Sequence, residues 1–332
     1  MVVFPAFGGE TIIPRCPRPI GATRSIKRVD NGSLPLSSLR CSFGKTGVIY
    51  VDDDAKGKQD GSSSNPYKTI SKALDKAKKG DEVRVYNGTY TENITIPSGV
   101  EVISARGNRE KVVIKADNNS KPTITMKDGT RLTRVTVTNG RHGVQVAEDA
   151  KATIYNVIIK NSKRDGIHAD KARNEKSKQL VIDKVQIHDN ALAGIYSEKR
   201  RISITDTDIW NNKLDGIDVE AGSNIWMEGS KSNANGGSGL KVAIDGSSVW
   251  TKNNSFRYNR GDGIEVSGAG GAGTVSIKDA KLIQNAGYGI ARLARSAGAS
   301  KSFDGIQQGV DKSTNTFDKN VKGDLSPVLK NF

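Results

Sequence analysis

The sequence predicts an all-β protein, a right-handed single-stranded parallel β-helix with an N-terminal capping helix. Three observations support this prediction: a repeat, short alternating segments within each repeat, and a long stretch without proline. A short motif that ends in a glycine and an aliphatic residue recurs at spacings of 22 to 28 residues within the 332-residue chain. The glycines of this motif are Gly143, Gly166, Gly194, Gly216, Gly239, Gly263 and Gly289. A period of this length that drifts by a few residues is typical of solenoid coils.

One repeat shows how each coil is built. Ile202–Ile204, Thr207–Trp210 and Gly216–Val219 are short alternating segments separated by turn residues, which predicts three strands per coil. The residue after each repeat glycine is aliphatic and is expected to point into the coil. These residues are Val144, Ile167, Ile195, Ile217, Leu240, Ile264 and Ile290. No proline occurs between Pro122 and Pro327, as a parallel ladder requires.

An asparagine precedes each repeat glycine by four residues, or by five in one coil. These asparagines are Asn139, Asn161, Asn190, Asn212, Asn235, Asn259 and Asn285. Asparagine tolerates left-handed backbone and can bond its own backbone, so we expect each one to form a tight corner between strands. Helical repeats are excluded, because the segments lack a period of 3.6 residues.

The first part of the chain is predicted to differ from the rest. Residues 1–46 are rich in proline and basic residues and show no periodicity, so we interpret them as an unstructured or leader segment. Residues 47–332 are predicted to form one β-helix domain. Its N-terminal cap is expected over residues 47–100 and its repeat coils over 101–332.

The predicted cap contains a strand and a helix. Val48–Val51 has the residue types of a strand, and Thr69 begins an amphipathic helix that is expected to end at Gly80. Such a helix can cover the open end of the first coil, where apolar residues and strand edges would otherwise be exposed.

The charge of the chain favours anionic partners. Fifty-one Lys and Arg residues against 36 Asp and Glu residues give a net charge of +15, which steers polyanions, although surface lysines also keep an extended molecule soluble. Acidic polysaccharides, nucleic acids, anionic membranes and teichoic-type polymers would all be attracted by such a charge. Aromatic residues make up 5% of the chain, and no basic cluster is interleaved with them, so specific nucleic-acid recognition is not expected. The sequence contains no transmembrane segment and does not define an oligomeric state.

Motifs near the predicted cap resemble a known superfamily. They are Ser64–Ile70, Ala73-Leu74, Gly80–Val83 and Gly88–Tyr90. Together with the repeats, over about Val48–Phe332, they resemble the secreted right-handed parallel β-helix proteins related to pectate lyases. The resemblance implies a carbohydrate-active protein outside the cell or on its surface, acting on acidic polysaccharide. The partner that the resemblance implies is an acidic polysaccharide or a cell-surface glycan, and both enzymes and non-enzymes share this fold.

In the lyases that the chain resembles, the substrate cleft runs along one sheet, which implies a file of functional side chains after the repeat glycines. The outward residues two positions after five consecutive glycines are His168, Tyr196, Asp218, Lys241 and Glu265. The residues expected to bind substrate are Asp165, Glu198 and Glu265.

The resemblance also implies a metal and a catalytic base. Asp215, Asp218 and Glu220 are expected to supply the hard oxygen ligands that Ca²⁺ prefers. Lys241 would remove the proton next to the uronate carboxyl group, leading to cleavage by β-elimination.

A uronate C5-epimerase is one alternative. Epimerases of this fold use Tyr, His, Asp and Lys, and Asp165, His168, Asp170 and Tyr196 supply three of these residue types. Their family phrase of Asp-Pro-His followed by an acidic residue is absent, because Gly-Ile separates Asp165 from His168.

A non-catalytic surface, adhesion or structural module is the other alternative. Without a metal, Lys241 between Asp218 and Glu265 is an ion-pair ladder. The carboxylates of such a ladder raise the pKa of the lysine and make it a poor base.

Overall fold

Three short strands recur in each coil of the chain, and each joins one of three parallel sheets. The computed structural model describes residues 47–173, 179–294, 310 and 313–327. They belong to one compact unit that spans Lys45–Phe332. The segment 1–46, predicted to be a leader, lies outside the described residues.

The described part of the chain contains one α-helix, α1 (Ile70–Lys76), and thirty strands. In chain order the strands are β1 (Val48–Val51), β2 (Glu82–Val85), β3 (Gly88–Thr91), β4 (Ile94–Ile96), β5 (Glu101–Ser104), β6 (Val112–Lys115), β7 (Ile124–Met126), β8 (Thr130–Thr133), β9 (Thr136–Thr138), β10 (Val144–Val146), β11 (Ala152–Tyr155), β12 (Ile158–Lys160), β13 (Ile167–Ala169), β14 (Gln179–Asp183), β15 (Gln186–His188), β16 (Ile195–Ser197), β17 (Arg201–Thr205), β18 (Asp208–Trp210), β19 (Ile217–Val219), β20 (Asn224–Glu228), β21 (Lys231–Asn233), β22 (Leu240–Ala243), β23 (Ser248–Lys252), β24 (Ser255–Arg257), β25 (Ile264–Gly268), β26 (Thr274–Lys278), β27 (Lys281–Ile283), β28 (Tyr288–Ala294), β29 (Thr316–Asp318) and β30 (Gly323–Leu325).

Nine complete coils run from β2 to β28, and β1, β29 and β30 each extend one sheet, so that every sheet contains ten strands. The first sheet runs in the order β1-β2-β5-β8-β11-β14-β17-β20-β23-β26, the second from β3 through β6 and β9 to β29, and the third from β4 through β7 and β10 to β30. Neighbouring strands are separated by a full coil in sequence and pair in parallel, as between β16 and β19. The predicted right-handed parallel β-helix is therefore confirmed. Complete three-strand coils begin at β2, within the segment predicted as the cap.

The core of the β-helix is the aliphatic column predicted from the repeats. All seven residues that follow the repeat glycines are buried, with at most 1% of their surface exposed. The glycines are required because successive coils approach closely at this point. At Gly216, a Cβ atom would lie 2.7 Å from the carbonyl oxygen of Gly239, and at Gly194 it would lie 2.6 Å from that of Gly216. Close backbone approach therefore explains the glycine of the repeat.

The asparagines of the repeat have a different role from the predicted one in the last five coils. In these coils the residue before the asparagine adopts the left-handed backbone, for example Asn211 at φ 53° and Ala234 at φ 54°. Asn212 and Asn235 instead point inward and are buried. Only Asn139 and Asn161 occupy the corner as predicted, at φ 67° and 60°. The correction has a physical reason, since a buried amide can both donate to and accept from equivalent amides above and below it.

These buried asparagines form a hydrogen-bonded ladder along the axis of the β-helix. The Nδ2 atom of each donates to the Oδ1 atom of the next at 2.8 to 3.2 Å. The members are Asn190, Asn212, Asn235, Asn259, Asn285 and Asn320. The ladder satisfies polar groups at a corner that would otherwise be costly to bury.

The predicted capping helix is present but shorter. Helix α1 begins after its N-cap Thr69, whose side chain accepts from the Lys72 amide, and ends at Lys76 rather than at Gly80. Glu92 also accepts hydrogen bonds from the first two amides of the helix, at 2.8 and 2.9 Å. The buried face of α1 packs on β1, β2 and β4. Among the described residues, no helix is long and apolar enough to cross a membrane.

Candidate functional site

The predicted outward file lies along the third sheet in direct register. The register neighbours, in order, are Gln145, His168, Tyr196, Asp218, Lys241 and Glu265. Parallel strands place such neighbours about 4.8 Å apart, so side chains from successive coils touch one another. The structure therefore brings together the file that the repeat glycines predicted.

Three rings from successive coils form a stack at one end of this file. The His142 and His168 ring centroids are 4.3 Å apart, and those of His168 and Tyr196 are 4.9 Å apart. Asp165 lies beside both imidazoles, with its Oδ2 atom 3.0 Å from His168 Nδ1 and 3.2 Å from His142 Nδ1. The His168 contact is a hydrogen bond, whereas the His142 contact lacks hydrogen-bond geometry.

The ring stack borders a pocket of about 460 Å³ on the outward face of the third sheet. Its lining residues are Arg141, His142, Gln145, Arg164, Asp165, His168, Leu192, Ala193, Tyr196, Glu198, Leu214 and Asp218. Of the residues predicted to bind substrate, Asp165 and Glu198 line the pocket, whereas Glu265 lies two coils beyond Asp218. The pocket thus combines basic, acidic, aromatic and aliphatic groups.

The carboxylates around His168 control its charge. Burial alone would lower the pKa of His168, but hydrogen bonds to Asp165 and Asp170 and the charges of both raise it to about 9. For Asp165, burial would raise the pKa, yet the two histidines hold it at about 2. Burial lowers the pKa of His142. In the metal-free protein at neutral pH, Asp165 is therefore an anion and His168 a cation.

Tyr196 remains a neutral phenol over a wide pH range. Burial and the charges of Glu220, Glu198 and Asp218 raise the pKa of its hydroxyl group to about 12. Its ring is fixed by stacking against His168 with an angle of 18° between the ring planes. A neutral phenol can give up its proton while its oxygen receives another one, which avoids the free phenolate that the raised pKa disfavours.

Lys241 is held by the two nearest carboxylates predicted to bind metal. Its Nζ atom lies 3.3 Å from Asp218 Oδ2 and 3.6 Å from Asp215 Oδ2. Burial would lower the pKa of Lys241, but the charges of Asp218, Asp215 and Glu265 outweigh burial and raise it. The predicted role of Lys241 as a base stays a prediction, and the raised pKa weighs against it.

The same contacts bear on the predicted calcium site. The ammonium group of Lys241 already lies between Asp215 and Asp218. Two sets of three possible ligands in the described part of the chain have donor atoms that all lie within 4.8 Å of one another, and they are His142–Asp165–His168 and Asp52–Asp53–Asp54. The donor atoms of Asp215, Asp218 and Glu220 do not come this close together. The three predicted ligands therefore fit Ca²⁺ poorly as arranged, and calcium stays a prediction.

Glu265 belongs to the far end of the file. Its Oε2 atom accepts a hydrogen bond from Ser238 Oγ at 3.0 Å, and burial raises the pKa of its carboxyl group. The amide of Ser238 in turn donates to Asp215 Oδ1 at 2.6 Å. These contacts tie Glu265 to the Lys241 cluster rather than to the pocket.

The sequence prediction missed two residues that shape the site. His142 stands one residue before its repeat glycine, and Asp165 stands at the same position in the next coil. This shared position in the repeat could have predicted that the two side chains lie side by side. Arg200 is fully buried, and its guanidinium group donates to the carbonyl oxygens of Asp170 and Ala147. It thereby fixes the turn that carries Asp170, and no sequence pattern indicates that this arginine points inward.

Known families match two parts of the chain. The family described as right handed beta helix region matches residues 142–304, which include every residue that lines the pocket except Arg141. A second family, described as a protein of unknown function (DUF1565), matches residues 54–111. None of the curated proteins matches the chain.

Solved structures share the architecture at low sequence identity. Pectate lyase Pel9A is 17% identical with a TM-score of 0.52, and the match covers 85% of this chain and 78% of that one. The A-module of the mannuronan C-5 epimerase AlgE4 from Azotobacter vinelandii is 15% identical with a TM-score of 0.50, covering 83% of this chain and 95% of that one. At these identities the likeness establishes the fold. The chain therefore has the right-handed parallel β-helix fold, and about half of it matches the family model of that region.

Proposed function

We propose that the chain binds acidic polysaccharide along the outward face of the third sheet and cleaves it by β-elimination in the pocket around Tyr196. The observation that carries this proposal is the order of charges in the pocket. Arg141 and Arg164 precede β10 and β13, Tyr196 lies in the next coil, and Asp218 lies in the coil after that. Apart from Asp165, which pairs with His168, the lining therefore changes from basic to acidic along the stack of coils, with a neutral phenol between.

The basic end suits the carboxylate of a uronate residue. Arginine binds carboxylates through paired, charge-assisted hydrogen bonds, and neutralising a uronate carboxylate makes the adjacent C5 proton more acidic. At the other end, Glu198 and Asp218 can accept hydrogen bonds from sugar hydroxyl groups. The exposed side chain of Leu214 adds an apolar surface to the same pocket. The two ends lie two to three coils apart, or about 10–14 Å at about 4.8 Å per coil, so neighbouring sugar units of one polysaccharide chain can occupy them.

Tyr196 is the group we assign to proton transfer. In the proposed step, its oxygen accepts the C5 proton while its own proton passes to the departing glycosidic oxygen. The C5–H bond breaks, its electron pair forms the C4–C5 double bond, the C4–O bond breaks, and the phenol is regenerated. Positioned proton transfer of this kind contributes about 10²–10⁴-fold to a rate, and the stack with His168 supplies the positioning.

The net charge of the chain supports a polyanionic substrate. A charge of +15 accelerates encounter with an acidic chain, and the acceleration falls as salt screens the field. A neutral polysaccharide of equal length gains nothing from this field. Preference for acidic over neutral polysaccharide, decreasing with ionic strength, is therefore the expected behaviour.

The test is proton NMR of polysaccharides incubated with the protein. The panel contains several uronate-containing polymers and a neutral glucan as control, each with Ca²⁺ and with a chelator. Signals of a 4,5-unsaturated uronate, formed from an acidic polymer and not from the glucan, are the predicted result. A change of sugar configuration without cleavage would contradict the lyase proposal and support the uronate C5-epimerase alternative. A panel that stays unchanged would overturn the enzymatic proposal and leave the non-catalytic module.

A further inference from the structure

We propose that His142, Asp165 and His168 bind a divalent transition metal of the zinc type, with the open coordination position facing the pocket. All three residues line the pocket, and one donor atom from each lies within 4.8 Å of the other two. The chain contains three histidines in total, and two of them meet at this point.

The spacing of the donor atoms suits a tetrahedral ion. Asp165 Oδ2 lies 3.0 Å from His168 Nδ1 and 3.2 Å from His142 Nδ1. Two ligands bonded to tetrahedral zinc at about 2.0–2.1 Å are separated by about 3.3 Å. The two measured separations are close to that value, so small side-chain movements are enough to admit the ion.

The buried Nδ1 atom of His142 gives an independent reason for a ligand here. The residue is 3% exposed, and this atom has no hydrogen-bond partner in the described part of the chain. A buried polar atom without a partner costs free energy. Coordination would satisfy it, whereas the neighbouring Asp165 contact lacks the geometry of a hydrogen bond.

The donor types and their surroundings select the class of metal. Two imidazole nitrogens and one carboxylate oxygen suit zinc and similar ions, whereas Ca²⁺ prefers oxygen alone. The other ring nitrogen of His168, Nε2, lies 3.4 Å from Asp170 Oδ1, and Asp170 Oδ2 accepts from Gln145 Nε2 at 2.9 Å. A carboxylate on the far nitrogen of a ligating histidine is a common way to orient the ring. Three protein ligands leave a position for water or substrate.

The first test uses Zn²⁺ alone, added to the full chain after removal of metal by a chelator. Cys16→Ser and Cys41→Ser are included in every protein so that thiols do not bind the ion. Calorimetry should show one Zn²⁺ per chain, and His142→Ala should weaken binding at least about 100-fold. His188→Ala is the matched control and should bind within about twofold of the parent. Absence of stoichiometric binding, or His142→Ala that binds as tightly as the parent, would overturn the proposal.

A second test needs no variant of the buried site, in case His142→Ala does not fold. His188 lies on the second sheet, where its ring stacks on Trp210, so His188→Gln identifies its imidazole NMR signals. One equivalent of Zn²⁺ should shift the signals of the other two histidines and leave those of His188 in place. Shifts of all three, or of none, would contradict the site. Because the probe is the metal alone, either result stands independently of any action on a glycan.

Discussion

The rings of His168 and Tyr196 are register partners that stack with their centroids 4.9 Å apart. This distance is close to the spacing of about 4.8 Å between parallel strands, so the stack follows from the repetition of the coils. His142, from the preceding coil, continues it at 4.3 Å from His168. A β-helix thus assembles a site from residues that are more than twenty positions apart in sequence but one coil apart in space.

We expect the two pocket arginines to act in substrate binding. The double variant Arg141→Gln/Arg164→Gln should raise KM for an acidic polysaccharide at least about tenfold, because hydrogen bonds to charged groups contribute about 1.5–3 kcal/mol each. The value of kcat should fall as well, because without the arginines the uronate carboxylate is no longer neutralised and the C5 proton is less acidic. Arg201→Gln, an exposed position at the start of β17 in the first sheet, serves as the control. Steady-state kinetics in which the control and double variant behave alike would refute the assigned role.

The asparagine ladder should contribute measurably to stability. Asn235→Ala removes the acceptor for the side chain of Asn212, 3.0 Å away, and the donor to Asn259. Leaving these buried groups without partners should lower the free energy of unfolding by about 2–4 kcal/mol. Urea unfolding followed by circular dichroism measures the effect. Asn224→Ala, at a half-buried position outside the ladder, should cost less than about 1 kcal/mol, and equal losses in both variants would argue against the ladder.

Replacing Lys241 distinguishes the two candidate proton-transfer residues. If Tyr196 transfers the proton, Lys241→Met should keep kcat within about tenfold, whereas removal of a general base costs about 10²–10⁴-fold. Stability should fall by about 1 kcal/mol or less, as for other partly exposed ion pairs. A rate loss of more than about 10²-fold, without loss of fold, would restore the lysine as the base.

The pKa of His168 predicts how stability depends on pH in the metal-free protein. It is raised from 6.5 to about 9 by Asp165 and Asp170, so the stabilising contribution is complete below about pH 6.5 and is lost as the pH rises through 9. Asp165, with a pKa of about 2, stays ionised throughout this range. His142, whose pKa is lowered by burial, is neutral in the folded chain over this range. In the unfolded chain it is about half protonated at about pH 6.5 and neutral well above that pH, so its opposing contribution is confined to the lower end of the interval.

The measurement is the urea midpoint at pH 6.5 and at pH 9 in the presence of a chelator. The wild-type midpoint should fall over this interval, and the fall should be smaller in His168→Gln. His188→Gln is the control and should follow the wild type. A midpoint in His168→Gln that falls as steeply as that of the wild type would contradict the assigned pKa.

Much of the fold could be predicted because the same pattern of glycine, aliphatic residue and outward residue recurs in every coil. The aliphatic residues that follow the repeat glycines, from Val144 to Ile290, predicted the core. The same repeat register predicted that His168, Tyr196 and Asp218 lie on one face. The corner was less predictable, because Asn235 is equally suited to a left-handed turn and to a buried ladder. Only the preceding residue, Ala234, with its φ of 54°, shows which position bears the turn.

The pocket was harder to predict, because its chemistry depends on contacts across coils. Lys241 has the residue type of a base, and only its distances to Asp215 and Asp218 show that carboxylates hold its charge. His142 lies outside the strand that carries the file, so strand alternation could not place it against His168. Arg200 belongs to a turn, where alternation gives no direction for a side chain.

The most direct test of the proposed elimination compares wild type with Tyr196→Phe on a cleaved acidic polysaccharide. Phenylalanine keeps the ring that stacks on His168 and removes only the hydroxyl group that transfers the proton. The rate of unsaturated uronate formation, followed by proton NMR, should fall about 10²–10⁴-fold, with substrate affinity and unfolding midpoint nearly unchanged. Tyr258→Phe, at an exposed position after β24, should retain the wild-type rate. Product formation by Tyr196→Phe at the wild-type rate would contradict the central claim.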